Sequence, residues 1–396
     1  MALRNSGTLK LSLSALAMAT MLQGAYAQDA SLVAARLKSI IGAQGTELNW
    51  ASISGSGSSI VLEGTTVKIA GQPDVFTIGN VALDGIAEAG GGYTIGKVSL
   101  PDYNLSEAGM TFSMTGTALT NVKLSAEGST DPLASMLFYD TADVQNIKVS
   151  MADKPVFNMD AVHFEMTPPA SDKAMVFSGG AQKFTADLSG VSDPSSKQII
   201  EALGYQNIAG DMKIAGSWNP VDGKMAFTQY DIKVDNAGTL GTTFDISGYT
   251  PAFIKSLQDL QKQMAAAPAG ADNSAQGMAM LGLMQQLNFN SAAIKFTDDS
   301  LTNKILEFVA KSQGASPADI ANMAKGAVPF ALAQLNNPEL TQQAAAAVTA
   351  FLDNPKSLTI AAKPAAPVPF AVLAAGGMGD PMSLPKTLGV TVTAND

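Results

Sequence analysis

Histidine carries much of the acid–base and metal chemistry of proteins near neutral pH, and this chain of 396 residues has one. His163 lies in Val162–Met166, where apolar residues alternate with His163 and Glu165. The alternation predicts a β-strand with His163 on its solvent-facing side, without a catalytic or metal-binding role. The chain contains no cysteine, which excludes thiol nucleophiles and thiolate zinc sites.

Glycine-rich strings could bind phosphate, but the residues around them do not fit that chemistry. Gly91–Lys97 matches most of a phosphate-binding loop, yet Val98 follows in place of Ser or Thr. Pro101 and a strand pattern come next, so no helix N-terminus would face a phosphate. Gly376–Asp380 is interpreted as a flexible turn, because it lacks the cation that an anion-binding loop needs.

Other motif-like strings are also weak. Ser383–Lys386 has the S-x-x-K spacing of serine acyl-enzymes, but Pro385 argues against the helix that would bring the two side chains together. The nucleophile-elbow pattern G-x-S-x-G is absent. Asp298–Asp299 is interpreted as a helix cap and not as a calcium site. The sequence therefore predicts no catalytic residue, no metal ligand and no cofactor.

Methionine and leucine give the one positive functional signal. Methionine is adaptable and suits surfaces that bind varied apolar ligands, and leucines lie close to the methionines here. The alternative is ordinary core filling by apolar helices. The candidate ligand groove, between helices and a sheet, consists of Met264, Met278, Met280, Leu281, Met284 and Leu287.

The first 27 residues have the pattern of a secretory signal peptide. Arg4 and Lys10 precede the apolar run Leu11–Leu22, and Ala25–Ala27 supplies the small-x-small cleavage pattern. Cleavage is expected after Ala27. No later run is apolar for the roughly 20 residues that a membrane-spanning helix needs, so no membrane anchor is expected after cleavage. These features predict an exported protein located in the periplasm.

The charged composition limits the classes of partner that the protein can be expected to bind. The formal net charge is −10, and Arg4 and Arg36 are the only arginines. Nucleic acids and anionic membrane surfaces both require clustered cations, so neither is an expected partner. Without cysteine, the fold must be held by its core and not by disulfides.

Apolar periodicity predicts the fold class. Alternating segments between turn signals run from Ser59 to Ser247, and helical patterns dominate after Thr250. We expect an α+β fold: a long antiparallel, curved β-sheet with helices concentrated in the C-terminal third. The expected organisation is a β-rich region at 28–266 with an N-terminal helix, a flexible linker at 267–275 and a helix-rich region at 276–396 that closes with strands. A single continuous domain is the alternative.

Residues typical of helix ends and of tight turns mark the boundaries of several predicted helices and strands. Asp29 is the expected N-cap of the first helix, and Asp193 with Gly204 brackets a short one. Asn219–Gly223 predicts a hairpin turn. Ser316–Asp319 resembles a capping box with Asp in place of Glu.

Scattered residues carry a family resemblance. They are Glu201–Tyr205, Trp218, Gly223, Gly248–Thr250, Phe351–Pro355, Lys363–Pro364, Pro367–Pro369 and Leu388–Ala394. With the strand pattern, they resemble uncharacterised exported proteins of Gram-negative bacteria and, more distantly, the AsmA-like and YdgA-like envelope proteins. Because no anchor is expected after cleavage, this chain is expected to depart from AsmA-like proteins, which retain one. The resemblance implies envelope maintenance or lipid handling and transfers no functional residue.

The leading functional hypothesis is a non-catalytic periplasmic envelope protein that binds a lipid or another apolar ligand in a sheet–helix groove. A structural or protein-interaction component of the envelope is the first alternative. A hydrolase that uses only carboxylates is the second, although no pair of acids stands out.

Overall fold

The computed structural model describes residues 30–170, 173–266 and 274–396. The predicted signal peptide at 1–27, the expected N-cap Asp29 and most of the predicted linker lie outside the described residues. Those expectations remain predictions.

The strands are numbered in chain order. Their bounds are β1 Thr46–Asn49, β2 Ser52–Ser56, β3 Ser59–Ile69, β4 Val75–Ala89, β5 Gly92–Ser99, β6 Tyr103–Glu107, β7 Met110–Thr115, β8 Ala118–Leu124, β9 Thr141–Met151, β10 Lys154–Thr167, β11 Met175–Asp187, β12 Asn207–Asn219, β13 Lys224–Val234, β14 Gly238–Ser247, β15 Asn288–Asp298, β16 Ser357–Ala362, β17 Val368–Pro369 and β18 Val390–Ala394.

Seven of the nine described α-helices follow β14. The α-helices are α1 at 30–43, α2 Pro194–Leu203, α3 Pro251–Ala266, α4 Ser274–Met284, α5 Leu301–Gln313, α6 Pro317–Leu332, α7 Pro338–Asp353, α8 Phe370–Gly379 and α9 Leu384–Thr387. Short 3-10 turns occur at Ala333–Leu335 and Pro381–Ser383.

The chain forms two compact units. The first comprises residues up to Tyr103 together with Gly116–Ala142, and the second comprises Asn104–Thr115 and Asp143–Asp396. The second unit includes residues on both sides of 267–275. The predicted organisation around a linker at 267–275 stays a prediction.

The first unit packs α1 against an antiparallel sheet. Strand β3 pairs with β1, β2 and β4 along different parts of its length. Strand β4 then pairs with β5, and β5 pairs with β8. Helix α1 buries Val33, Leu37 and Ile40 against inward-facing strand residues, as its apolar spacing predicts. The strand side of this core includes Ile60, Leu62, Leu83, Ile95 and Val122.

Arg36 ties a loop to α1 in the first unit. Its guanidinium donates hydrogen bonds to the carbonyl oxygens of Ser125, Ala126 and Ala134. Because the loop's carbonyls are partly buried there, an always-charged donor with several N–H groups satisfies them well. The arginine thus has a structural role in the described fold.

The second unit is an antiparallel meander. Pairing proceeds from β7 to β9, then through β10 to β16 in chain order, and ends with β18 beside β16. The fold class is therefore as predicted: α+β, with a long antiparallel sheet and helices concentrated in the C-terminal part. Register shifts between Phe227 and Asp231 and beside Ile246 mark bulges, which bend strands and explain the curvature within this unit.

Three of the predicted helix and turn signals are confirmed: those at the ends of α2, at the start of α6 and in the hairpin turn Asn219–Gly223. The side chain of Asp193 accepts a hydrogen bond from the Ser196 backbone N–H at 2.7 Å, and Gly204 ends α2 with a φ of 76°. Ser316 and Asp319 form the reciprocal capping box of α6. At the hairpin, Gly223 has a φ of 67°, which the left-handed turn position requires.

Two local predictions are wrong. Leu384–Thr387 is a short helix despite Pro385. Proline is tolerated in the first turn of a helix because the backbone N–H groups there have no intrahelical acceptor, so the N–H that proline lacks is not needed. Gly376–Gly379 is the last turn of α8 and not a flexible turn. The helix that begins at Phe370 continues through these glycines, although glycine is less favourable than alanine inside a helix.

Within the described residues, no helix combines the length and the apolar character needed to cross a membrane.

Candidate functional site

The second unit's sheet has one apolar side and one polar side. Cross-strand partners share a side, so the register assigns each residue to one of them. The apolar side presents, from β10 to β18, Phe157, Met159, Val162, Phe164, Met166, Phe177, Ala181, Phe184, Ile208, Met212, Ile214, Trp218, Met225, Phe227, Tyr230, Ile232, Val234, Leu240, Phe244, Ile246, Phe289, Ile294, Phe296, Leu358, Ile360, Val390 and Val392.

Aromatic rings on this side lie over glycines of the neighbouring strand. A Cβ atom added to Gly210 would come 2.7 Å from Cζ of Phe184, and one added to Gly238 would come 2.7 Å from Cε2 of Phe296. The glycines leave room for the rings to lie against the backbone. The sheet thereby shields part of its own apolar side without a covering helix.

Helices cover the apolar side near the ends of β15. At one end, Phe351 of α7 meets Phe296 edge to face, with ring centroids 6.3 Å apart. At the other end, Phe289 is buried. There the indole N–H of Trp218 donates to the carbonyl oxygen of Tyr249, just before α3, at 2.8 Å.

Between these ends, large apolar side chains remain open to solvent. The exposed fractions are 40% for Tyr230, 48% for Leu240, 53% for Ile294 and 50% for Ile360. Ile294 pairs directly with Ile360, and Leu240 pairs with Phe296, two residues from Ile294. We refer to Tyr230, Leu240, Ile294 and Ile360 as the apolar row.

The apolar row crosses four adjacent strands, β13 to β16, which corresponds to three interstrand spacings or about 14 Å. Half-buried Ile214 on β12 and Val392 on β18 continue it on either side. None of these side chains is charged. A surface of this kind can remove the hydrocarbon of a ligand from water.

The polar side of the same sheet carries the chain's histidine. Nδ1 of His163 lies 2.7 Å from a carboxylate oxygen of Asp143, and both side chains are about half exposed. This confirms the strand position predicted for His163 on the solvent-facing side. A solvated pair of this kind contributes little to stability.

An amide–carboxylate network lies on the same polar side. The Asn146 amide donates to Asp160 at 2.7 Å and to the Asn158 side-chain oxygen at 2.7 Å. The side-chain oxygens of Asn158 and Asp160 therefore each accept a hydrogen bond from a neighbouring strand. Within the described residues, no cluster of three or more His, Cys, Asp or Glu side chains could hold a metal ion.

Ser383 and Lys386 line a cavity of about 610 Å³ between the start of α7 and residues 380–391. The Ser383 hydroxyl donates to the carbonyl oxygen of Asp380 at 2.9 Å. Its proton is engaged with a carbonyl, which is the geometry of a turn and not that of an activated nucleophile.

The methionine–leucine set divides into buried and exposed members. Leu287 is buried with Phe253, Leu260 and Leu283, and Met280 packs against that cluster. Met284 is half-buried, whereas Met264, Met278 and Leu281 are exposed. Three of the six predicted groove residues, Met280, Met284 and Leu287, are therefore buried or half-buried, and the other three face solvent.

Sequence reasoning missed the apolar row, although a signal for it was present. In β13 the apolar residues fall at 225 and 227 and then at 230, 232 and 234. This change of phase is the signature of a bulge, and it places Tyr230 on the apolar side. A similar change occurs in β10 around Ala161, whose φ is 50°.

Comparison with known proteins adds one match. A family model described as "Uncharacterized protein" matches residues 231–395, which run from β13 to the end of β18. No curated protein matches the chain. The matched region holds Leu240, Ile294 and Ile360 of the apolar row, and Tyr230 directly precedes it.

Proposed function

We propose that this chain is an exported, non-catalytic protein of the periplasm that holds an apolar ligand, such as the hydrocarbon chain of a lipid, on the apolar row. The observation that carries the proposal is the half-exposed state of Tyr230, Leu240, Ile294 and Ile360 on the apolar side of the sheet. Isolated exposed apolar residues are ordinary, but neighbours on one face point to a binding surface.

The energetics favour hydrocarbon. Removing apolar surface from water contributes roughly 25 cal/mol per Å², and a CH₂ group contributes about 0.8 kcal/mol when it is fully buried. The row offers an aliphatic or aromatic side chain on each of its four strands, and the rings of Phe244 and Phe296 flank it. Its fixed strands require little ordering on binding, which lowers the entropic cost.

Location and chemistry are consistent with this role. The pattern of residues 1–27 is that of a signal peptide, and a periplasmic lipid must be shielded from water in transit. The His163–Asp143 pair is solvated on the opposite side of the sheet, away from any ligand on the apolar row. The role needs no group to make or break bonds.

Native mass spectrometry of the protein isolated from the periplasm of a Gram-negative host tests the proposal. We expect a discrete adduct of lipid-like mass that organic extraction removes and that a fluorescent acyl probe replaces. A protein that carries no adduct and also fails to bind the acyl probe would show that the row is not a ligand site.

A further inference from the structure

Helices α4 and α8 differ in composition from every other described α-helix. Neither Ser274–Met284 nor Phe370–Gly379 contains a Lys, Arg, Asp or Glu residue. Each of α1–α3, α5–α7 and α9 contains at least one. Surface helices normally keep a charged or polar face toward water, so the composition of α4 and α8 calls for a different environment.

One side of the α4–α8 pair is covered by other residues of the chain. The two helices pack against each other. Leu283 of α4 is buried with Phe253 and Leu260 of α3, and Met280 and Phe370 pack against that cluster. These contacts provide an apolar environment for the inner sides of α4 and α8.

The outer sides are apolar as well and are open. Met278 is 74% exposed, and Leu281, three residues later on the same face of α4, is 49% exposed. On α8, Val372 and Met378 are 51% and 81% exposed, with exposed Ala375 between them at helical spacing. We call Met278, Leu281, Val372 and Met378 the α4–α8 patch.

The net charge of the chain limits what can bind to the α4–α8 patch. An anionic bilayer would repel a protein of net charge −10, and the patch supplies no cation to offset that repulsion. A charged protein surface would leave its own charges unpaired against the patch. An uncharged bilayer interface instead gives apolar side chains a medium about 5–10 Å deep and requires no charge complement.

We propose that the α4–α8 patch is a docking surface for an uncharged lipid bilayer. Met278, Leu281, Val372 and Met378 enter the interface, while the inner sides of the helices stay packed on the second unit. The inference is carried by a different set of residues from the apolar row and goes beyond the proposed ligand site. It assigns the membrane itself as a partner.

Flotation with phosphatidylcholine vesicles tests this docking. We expect the wild-type protein to float with the vesicles, equally at low and high salt, because no ion pair contributes. The double variant Met278→Glu/Met378→Glu should reduce the floated fraction at least tenfold. Both side chains are mostly exposed, so the variant should unfold at the wild-type temperature.

The matched control is Met323→Glu on α6, where methionine is 58% exposed but Asp319 and Lys325 lie on the same helix. It should float like the wild type. Any one of three results would overturn the proposal: no flotation of the wild type, flotation only with anionic lipid, or concentration-dependent self-association that the double variant abolishes without any vesicle binding. Acyl-probe binding in the double variant should be unchanged, which separates this result from a failure of the apolar row.

Discussion

The ring of Phe177 occupies the space above Gly216 on the neighbouring strand, where an added Cβ atom would come 2.5 Å from the ring's Cζ. Phe177 in turn stacks on Phe164 and meets Phe227 edge to face, at centroid distances of 5.8 and 5.5 Å. A glycine therefore positions a chain of aromatic rings across β10 to β13. These rings form part of the apolar side of the sheet that also carries the apolar row.

Gly216→Ala should destabilise the second unit. A methyl group would also meet the carbonyl oxygen of Ala226, so both the ring and the neighbouring strand would have to shift. Overpacking of this kind costs about 1–3 kcal/mol of unfolding free energy. Urea unfolding measures it. Gly190→Ala is the control, since a Cβ there meets nothing within 4 Å and should leave stability close to that of the wild type.

Asp319 should make the stability of α6 depend on pH. Hydrogen bonds from the Ser316 side chain and backbone hold the pKa of this carboxyl below its ordinary value of 3.8. Its contribution is therefore fully present above pH 3.8 and is lost as pH falls through the lowered folded-state pKa. The difference in unfolding temperature between wild type and Asp319→Ala should shrink as pH falls to values below 3.8. A difference that grows toward acid would contradict the capping geometry.

Asn395 should stabilise the C-terminal end of the sheet. Its amide nitrogen donates to the Ala350 carbonyl oxygen at 2.9 Å, and its side-chain oxygen accepts from the backbone N–H groups of Lys356 and Ser357, each at 3.2 Å. Asn395→Gly keeps the φ of 62° accessible but removes these bonds.

We expect a loss of about 1–3 kcal/mol for Asn395→Gly and a slightly larger loss for Asn395→Ala, which also strains the left-handed backbone. Thermal unfolding of the two variants beside the wild type would show it. Equal stability of all three proteins would mean that the terminal strand is held by β16 alone.

Trp218→Phe should destabilise the end of the sheet next to α3. The indole is buried, and its loss leaves the Tyr249 carbonyl oxygen without the N–H donor that lies 2.8 Å away. An unsatisfied, partly buried acceptor and a smaller ring together cost about 2–4 kcal/mol. Hydrogen exchange should quicken in α3, while Trp50→Phe in the first unit should leave α3 unchanged.

Local structure was predictable where one or two residues decide the backbone. Asp193 and Gly204 bound α2 because a carboxylate cap and a left-handed glycine act within a few residues. The fold class followed from apolar periodicity in the same way. The prediction from Pro385 was wrong because proline disrupts a helix only beyond its first turn. The structure shows that Pro385 lies within the first turn.

The apolar row was not predictable because it depends on pairing between distant segments. Ile294 and Ile360 are 66 residues apart and meet through the register of β15 and β16. Whether a helix covers them depends on the course of α7. The methionine signal pointed to α3 and α4, whose composition is unusual, but it could not tell Leu287, which faces the core, from Met278, which faces solvent.

Acyl-probe binding by variants of the apolar row tests the ligand site directly. Ile294→Asp and Ile360→Asp place a charge on the apolar side at half-exposed positions, where folding should be little affected. Val176→Asp is the control, because Val176 is 55% exposed but lies on the polar side of the same sheet. Titration with a fluorescent fatty acid should show saturable binding by the wild type and the control, weakened roughly tenfold or more by each row variant. Equal affinity in all four proteins would contradict the assignment of the apolar row as the ligand site.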